Sequence, residues 1–301
     1  GTERLAKIRG FHSLQTICML ILFLSANLCY GISYLKTLDD SRALIDEVSM
    51  ADQIELEKVF SAKRAGGGWA QGFTVTNKYF VVITTVGEGD NFLTAYDKKT
   101  FKKVKAVRCD IGHGNDIAYN DNTNEIVALG GDDNTIKFFD ADTLEEMPMR
   151  QMMLGTDIMP AAKANGITYS ADLDEYYIVS PKVGIRVWGG DFISTNISYK
   201  IDSPFNLYQT LSYHKGSLFY SRGCHVSHGI CERGDEDEGD DLDVIQGRYA
   251  PSSGAVIVYS ARTGRRESVF YIPPMNSQDK YYGEFEGASV DEKNNIYFLY
   301  S

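Results

Sequence analysis

Residues 112–149 read GHGNDIAYNDNTNEIVALGGDDNTIKFFDADTLEEMPM. Four short runs with the composition of β-strands follow one another here, at residues 117–119, 126–129, 135–139 and 145–149. Turns rich in Asp, Asn and Gly separate the runs, and no room remains between them for a helix. The stretch therefore predicts one four-stranded antiparallel sheet.

The beginning of this pattern recurs along the chain. Each copy has a short strand of small or apolar residues, a polar turn, and then an aromatic and β-branched strand. A spacing of about 44 residues is typical of the blades of a β-propeller. The copies are GFTVTNKYFVVI from residue 72, DIAYNDNTNEIVAL from 116, GITYSADLDEYYIV from 166, TLSYHKGSLFYS from 210 and GASVDEKNNIYFLY from 287. We therefore predict an all-β fold, a five-bladed β-propeller over residues 55–301, with an insertion at 222–251 that explains the one long interval.

A second repeated feature marks the turn between the third and fourth strands. It reads AYDKKT from residue 95, FFDADT from 138 and VYSART from 258. The Asp or Ser can accept hydrogen bonds from backbone amides two residues on, which predicts tight hairpins. The third blade has Trp-Gly-Gly-Asp at residues 188–191 instead, which predicts a bulge or a longer hairpin there.

The fifth copy stops after two strands, and an open sheet edge invites aggregation. Residues 55–62 (ELEKVFSA) resemble the fourth strands of the other blades, so we expect them to complete the fifth blade from the N-terminal side. That blade would still lack one strand. It is then three-stranded, or the natural chain continues past residue 301.

The first 31 residues have the order of a signal peptide or a membrane anchor. Arg4, Lys7 and Arg9 precede a mostly apolar run at residues 14–28, and small residues follow. We expect the protein to be secreted or membrane-anchored, in either case outside the cytoplasm, with membrane contact through this segment alone. Within the linker at residues 32–54, apolar spacing predicts a short amphipathic helix at 38–54.

The net charge and the cysteines limit the classes of partner and site that the protein can have. The formal net charge is −11 and the pI is about 5.0, which excludes nucleic acid as a partner because a phosphate-binding face needs a basic surplus. In an oxidising compartment Cys224 and Cys231 most simply form a disulfide, the alternative being a zinc site that adds the two histidines between them. Cys109 is then a buried thiol.

In a propeller, the first strand of each blade lies at the axis, and the loops that lead into it form one face. Polar residues precede or begin these strands in every copy, and they are the candidate ligand-binding residues. The alternative is that they only satisfy loop backbone groups. The candidates are Gln71, His113, Asn115, Asp116, Asn165, Gln209, Glu284 and Glu286.

Three of these residues, His113, Asp116 and Glu286, could hold a divalent cation such as calcium, manganese or zinc, because imidazole and carboxylate groups are suitable ligands. The acidic segment at residues 234–243 has the composition of a calcium loop but lacks the alternation of an EF-hand, which favours a solvated loop. The chain also contains one acceptor triplet for N-glycosylation, Asn196-Ile197-Ser198, which a eukaryotic secretory route alone would modify.

The segment GHGNDIAYNDNTNEIVAL, together with QGFTVTNKYFVVI, resembles secreted or phage-associated bacterial β-propellers, among them receptor-binding and teichoic-acid-linked members. The resemblance covers residues 66–301. It implies a five-bladed disc of a kind that mostly binds cell-surface polymers.

We therefore expect a binding protein that presents the loop face of a propeller to a cell-surface glycan or protein. The alternative is an enzyme, a propeller-type metal-assisted hydrolase or lactonase that uses His113, Asp116 and Glu286 around a central cation.

Overall fold

The structure is a computed structural model. It describes residues 2–8, 56–63, 68–86, 90–130, 135–150, 152–153, 164–180, 183–201, 210–223, 225–227, 230–232, 254–272 and 285–300. These residues form 22 β-strands and one 3-10 turn, Pro148–Arg150. The prediction of an all-β fold is confirmed.

Five four-stranded antiparallel sheets and a two-stranded ribbon contain the strands. The first two strands in the chain are β1 (Thr2–Ile8) and β2 (Leu56–Lys63). Sheet I consists of β3 (Trp69–Val75), β4 (Tyr79–Val86), β5 (Asp90–Asp97) and β6 (Lys103–Cys109). Sheet II consists of β7 (Gly114–Asn120), β8 (Glu125–Gly130), β9 (Thr135–Asp140) and β10 (Met152–Met153). Sheet III consists of β11 (Gly166–Ser170), β12 (Glu175–Ser180), β13 (Gly184–Gly189) and β14 (Ser194–Tyr199).

Sheet IV begins with β15 (Thr210–His214) and β16 (Ser217–Gly223). The ribbon of β17 (His225–Ser227) and β18 (Ile230–Glu232) follows, inside the predicted insertion. Sheet IV then continues with β19 (Gly254–Ser260) and β20 (Arg266–Ile272). Sheet V combines β21 (Phe285–Val290) and β22 (Ile296–Tyr300) with β1 and β2.

The sheets are arranged as the blades of a β-propeller. The innermost strands are β3, β7, β11, β15 and β21; each packs against the next, and β21 packs against β3. Four of the sheets are each built from one continuous stretch of the chain, whereas sheet V joins the two ends of the chain. The starts of the innermost strands lie at one end of the ring, called here the starting face, and the turns after them lie at the other end, the hairpin face.

Apolar side chains fill the spaces between neighbouring sheets, because alternate residues of each strand face the sheet on either side. The contact of sheets V and I is typical, with Phe80 and Tyr297 ring centroids 5.0 Å apart. Similar clusters lie between sheets I and II (Ile83, Leu93, Ile117, Phe139), II and III (Leu129, Phe138, Ile178, Trp188), and III and IV (Tyr177, Val187, Tyr220, Ile257).

The predicted hairpins between third and fourth strands are confirmed. The Asp97 carboxylate accepts hydrogen bonds from the amides of Lys99 and Thr100, at 3.0 and 2.7 Å. Asp140 does the same at the corresponding turn of sheet II, and Ser260 accepts one such bond in sheet IV. In sheet III the predicted irregularity is a register shift between Arg186 and Trp188.

The fourth strand predicted at residues 145–149 forms only in part. Residues 145–147 pair with the end of β9 through a bridge from Glu146 to Phe139 and two backbone hydrogen bonds. A 3-10 turn follows at Pro148–Arg150, and the regular fourth strand of sheet II is β10. Pro148 has no N–H to donate to a ladder, which explains why the strand does not continue there.

Both ends of the chain contribute to sheet V, as predicted, but in a different way. The strand expected at residues 55–62 is β2, and it pairs with β1 rather than with β22. The strand that the sequence left missing is β1, which lies between β22 and β2 and comes from the basic start of the predicted leader. The apolar run at 14–28 and the predicted helix at 38–54 lie outside the described residues. Among the described residues, no helix has the length and apolar character to cross a membrane.

The two predictions about cysteines have different outcomes. Cys109 is a free thiol, 2% exposed, as predicted, and its burial raises the pKa of the thiol to about 12. Cys224 lies outside the described residues, and the described part of the chain contains no disulfide. The pairing of Cys224 with Cys231 therefore stays a prediction.

Candidate functional site

Three of the predicted site residues occupy β-bulges at the starting face. The register of the innermost strand with its neighbour shifts between Ala70 and Gly72, between Gly114 and Asp116, and between Phe285 and Gly287. The extra residues are Gln71, Asn115 and Glu286. Bulges release a residue from the regular ladder and redirect its side chain, and they are common beside functional sites.

The bulged residues and Asn165 are polar and lie at the starts of the innermost strands of four sheets; they are called here the polar group. Gln71, Asn115 and Asn165 are half-buried, and Glu286 is 3% exposed. The Asn115 side-chain amide donates to the carbonyl of Ala164 in the next sheet, at 2.7 Å. The Gln71 amide donates to its neighbour's carbonyl at 2.9 Å. Among the described residues, no donor bonds to the side-chain oxygen of either amide.

The other predicted residues do not join this group. His113 is exposed in the turn before β7. Gln209 and Glu284 lie outside the described residues.

Asp116 lies at the axis itself and is 1% exposed. Its carboxylate accepts the N–H of Ile117 at 2.9 Å and the N–H of Ile167 at 3.0 Å. The backbone amides of Phe73 and Leu211 also lie near the carboxylate and favour its charged form. Because these amides belong to β3, β7, β11 and β15, one side chain connects the innermost strands of four sheets.

The electrostatics of Asp116 follow from this position. Burial raises the pKa of the carboxyl well above its ordinary value, and the four backbone N–H groups oppose that shift by stabilising the charged form. Both oxygens accept hydrogen bonds from the protein backbone. The group is therefore engaged in holding the ring together rather than presented to a ligand.

The first, third and fifth copies have glycine at the position that Asp116 occupies in the second copy, and the packing at the axis explains why. A Cβ on Gly72 would lie 2.6 Å from the Cα of Asp116, and one on Gly287 would lie 2.4 Å from the Cβ of Phe73. Gly166 is similarly tight against Leu211, at 3.0 Å. Only glycine permits so close an approach of neighbouring strands. The axis at this level is thus filled by backbone and by the Asp116 side chain.

Sheet IV departs from this pattern at the same level. Thr210 takes the place of the glycine, and its cross-strand partner is Ser221, whereas the other sheets have Ile83, Leu129, Val179 and Leu299 opposite. Thr210 and Ser221 are fully buried, and neither hydroxyl has a hydrogen-bond partner among the described residues.

Hydroxyl groups in the middle of the innermost strands also connect sheets, and sequence reasoning did not identify them. The Thr168 hydroxyl accepts the N–H of Tyr213 at 2.9 Å, and the Ser289 hydroxyl accepts the N–H of Val75 at 3.0 Å. The signal was present in the copies, because GFTVT, GITYS and GASVD share a small hydroxyl residue at their third position.

The cation site predicted at His113, Asp116 and Glu286 stays a prediction. No group of three or more His, Cys, Asp or Glu side chains among the described residues is placed to hold a metal ion. His113 is exposed, whereas Asp116 and Glu286 are buried, and the Asp116 oxygens are occupied by backbone amides.

Comparison with known proteins supports the fold alone. No family model and no curated protein matches the sequence. Among solved structures, the glutaminyl cyclase of Myxococcus xanthus is similar with a TM-score of 0.50 and 11% identity, over 78% of this chain and 91% of that chain. The computationally designed Ika4 protein is similar with a TM-score of 0.35 and 12% identity, over 53% of this chain and 88% of that chain. At this level of identity, the likeness to the cyclase concerns the arrangement of strands.

Proposed function

We propose that this chain is an extracytoplasmic binding protein that presents the starting face of a five-bladed propeller to a cell-surface glycan or protein. The observation that carries the proposal is the polar group formed by Gln71, Asn115, Asn165 and Glu286. Amide and carboxyl side chains held on a rigid sheet scaffold can pair with the hydroxyl and amide groups of such a ligand.

The blade count in this proposal treats sheet V as the fifth blade. Its four antiparallel strands have the order of the other blades, with β21 innermost and β2 outermost. Contacts of β21 with β3 on one side and with β15 on the other support this count.

The location is part of the same proposal. The basic start and the apolar run at residues 14–28 support secretion or membrane attachment, as a disulfide between Cys224 and Cys231 would. Cleavage near residue 31 would remove β1 from sheet V. Because β1 pairs with β2, residues 2–8 and 56–63 lie on the same side of any membrane, so the pairing supports an N-terminal segment that is retained and attached without crossing.

The test is a glycan array and a pull-down from cell-envelope material, followed by affinity measurement with the ligand found. Asn115→Ala and Asn165→Ala are expected to weaken binding about tenfold each, because each removes a hydrogen-bonding side chain worth about 1.4 kcal/mol in the complex. Asn77→Ala is the matched control, since Asn77 is exposed at the hairpin face. Unchanged affinity in both starting-face variants would overturn the proposed surface.

The alternative function is that of an enzyme, a metal-assisted hydrolase or lactonase. It requires a cation near His113, Asp116 and Glu286. Metal analysis with and without a chelator distinguishes the two functions. Stoichiometric calcium or zinc that is lost together with thermal stability or hydrolytic activity would favour the enzyme, and a metal-free, fully stable protein would exclude it.

A further inference from the structure

We propose that Asn196 is an N-glycosylation site and that its oligosaccharide covers the exposed edge of sheet III. This inference goes beyond the binding function, and it rests on the extracytoplasmic location proposed above and on passage through a eukaryotic secretory route, which alone modifies such triplets. Asn196-Ile197-Ser198 is the only Asn-X-Ser/Thr triplet in the 301 residues, although the chain contains many other asparagines.

The fold leaves this asparagine accessible. β14 is the outer strand of sheet III, and among the described strands it pairs with β13 alone. Asn196 and Ser198 are both exposed. The register shift between Arg186 and Trp188 leaves Asn196 in a bulge with a φ of 62°, a left-handed conformation that asparagine tolerates better than most residues.

Neighbouring side chains stabilise the bulge without using the side-chain amide of Asn196. The Thr195 hydroxyl donates to the carbonyl of Val187 at 2.8 Å, which attaches this residue to β13. The Ser194 hydroxyl accepts the backbone N–H of Asn196 at 3.2 Å. The Asn196 side chain is thus left on the solvent side of an otherwise attached strand.

The surface around Asn196 explains what a glycan would do there. Ile193 is 68% exposed and Ile197 is 43% exposed, and both flank the asparagine. An outer strand with free backbone groups and exposed isoleucines is a template for pairing with another chain. A hydrated oligosaccharide on Asn196 would occupy the space that a pairing strand needs.

The modification requires a lipid-pyrophosphate-linked oligosaccharide as donor. The side-chain nitrogen of Asn196 bonds to the anomeric carbon of the first N-acetylglucosamine and loses one proton. The bond between that carbon and the pyrophosphate oxygen breaks, and the lipid pyrophosphate leaves with the electron pair. No oxidation or reduction occurs.

The test uses the full chain in eukaryotic cells in two forms, one with its own N-terminus and one with an added secretory leader from an established secreted protein. In the second form, we expect a mass increase that an amide-cleaving endoglycosidase reverses. Asn196→Gln and Ser198→Ala should both abolish it. Asn77→Gln, at another exposed asparagine, should leave it intact.

The outcomes separate this proposal from the one on location. Secreted, folded protein with an unmodified Asn196 in the second form overturns the glycosylation site. Modification in the second form alone supports the site and overturns the extracytoplasmic location. Enzymatic removal of the glycan should increase light scattering of the purified protein, and unchanged scattering would overturn the proposed covering of the edge.

Discussion

Asp116 is the residue on which the ring depends most directly. The side chain is 1% exposed, its two oxygens accept the N–H groups of Ile117 and Ile167, and the amides of Phe73 and Leu211 lie near it. In Asp116→Asn, one acceptor oxygen becomes an NH₂ group that faces a backbone donor. We expect a loss of about 2–4 kcal/mol in the free energy of unfolding, measured by urea denaturation at neutral pH.

Asp121→Asn is the matched control, because Asp121 is exposed in the turn after β7. It should change stability by less than about 0.5 kcal/mol. If both variants unfold at the same urea concentration as the wild type, the assignment of Asp116 as a connector of sheets is wrong.

Substitution of Ser221 is expected to stabilise the protein, in contrast to that of Asp116. Ser221 is buried opposite Thr210 with no partner for its hydroxyl among the described residues, whereas the corresponding residues in the other sheets are aliphatic. Ser221→Val removes an unsatisfied polar group and adds apolar contact. We expect the free energy of unfolding to increase by about 1 kcal/mol. Ser217→Val is the control, because Ser217 is a half-buried serine of the same strand whose hydroxyl bonds to Glu267, and this exchange should not stabilise the protein. A loss of stability in Ser221→Val would contradict the prediction and would indicate that the Ser221 hydroxyl has a bound partner.

The role of Asp116 shows how far single residues could be predicted. The sequence indicated that residues 113–116 are the most polar strand start, and it predicted a ligand site there. It could not show that amides more than 40 residues away converge on the Asp116 carboxylate. Those donors are backbone N–H groups, which nearly every residue has, so the residue types do not indicate which of them bond to Asp116.

The hydrogen bonds within the hairpin turns could be predicted directly from the sequence. Asp140 accepts the amides of Asp142 and Thr143 at 2.9 and 2.7 Å, and these bonds lower the pKa of its carboxyl. Asp140→Ala should reduce the free energy of unfolding by about 1 kcal/mol at neutral pH. Since a lowered pKa stabilises the fold only where the unfolded carboxyl is ionised, the difference from wild type should shrink as the pH falls through the lowered pKa.

Asp142→Ala is the control for that hairpin. Asp142 lies in the same turn but contributes an exposed ion pair with Lys78, 2.8 Å long, and such pairs contribute little. Thermal unfolding at several pH values compares the two variants. An Asp140→Ala effect that grows on acidification would contradict the assigned cause.

Elements were predicted well where their pattern was repeated and poorly where it was interrupted. The paired strands of sheets I to IV follow the copies closely. Pro148 interrupts the last strand of sheet II. The strand β1 was not predicted, because its basic residues stand before an apolar run and the pattern of a leader was the one considered there. The pairing partner that makes residues 2–8 a strand lies near residue 300, beyond the reach of a local pattern.

At the scale of the whole molecule, β1 closes the ring. It pairs with β22 through Arg4–Lys7 and with β2 along its whole length, so it joins the last strands of the chain to the outermost strand of sheet V. The sequence predicted that the two ends meet in this blade. Its repeat could not identify the third strand, since β1 belongs to no copy.

Deletion of residues 1–8 tests this closure. It leaves β22 with one partner and β2 with none among the described strands, so we expect a loss of several kcal/mol in the free energy of unfolding and a tendency to aggregate. A synthetic peptide of residues 1–9 added in trans should restore the unfolding midpoint, because a free strand can pair with an open sheet edge. The same peptide with Leu5→Pro should not, since proline donates no N–H to the ladder. Wild-type stability after the deletion, or equal rescue by both peptides, would show that the ring closes without β1.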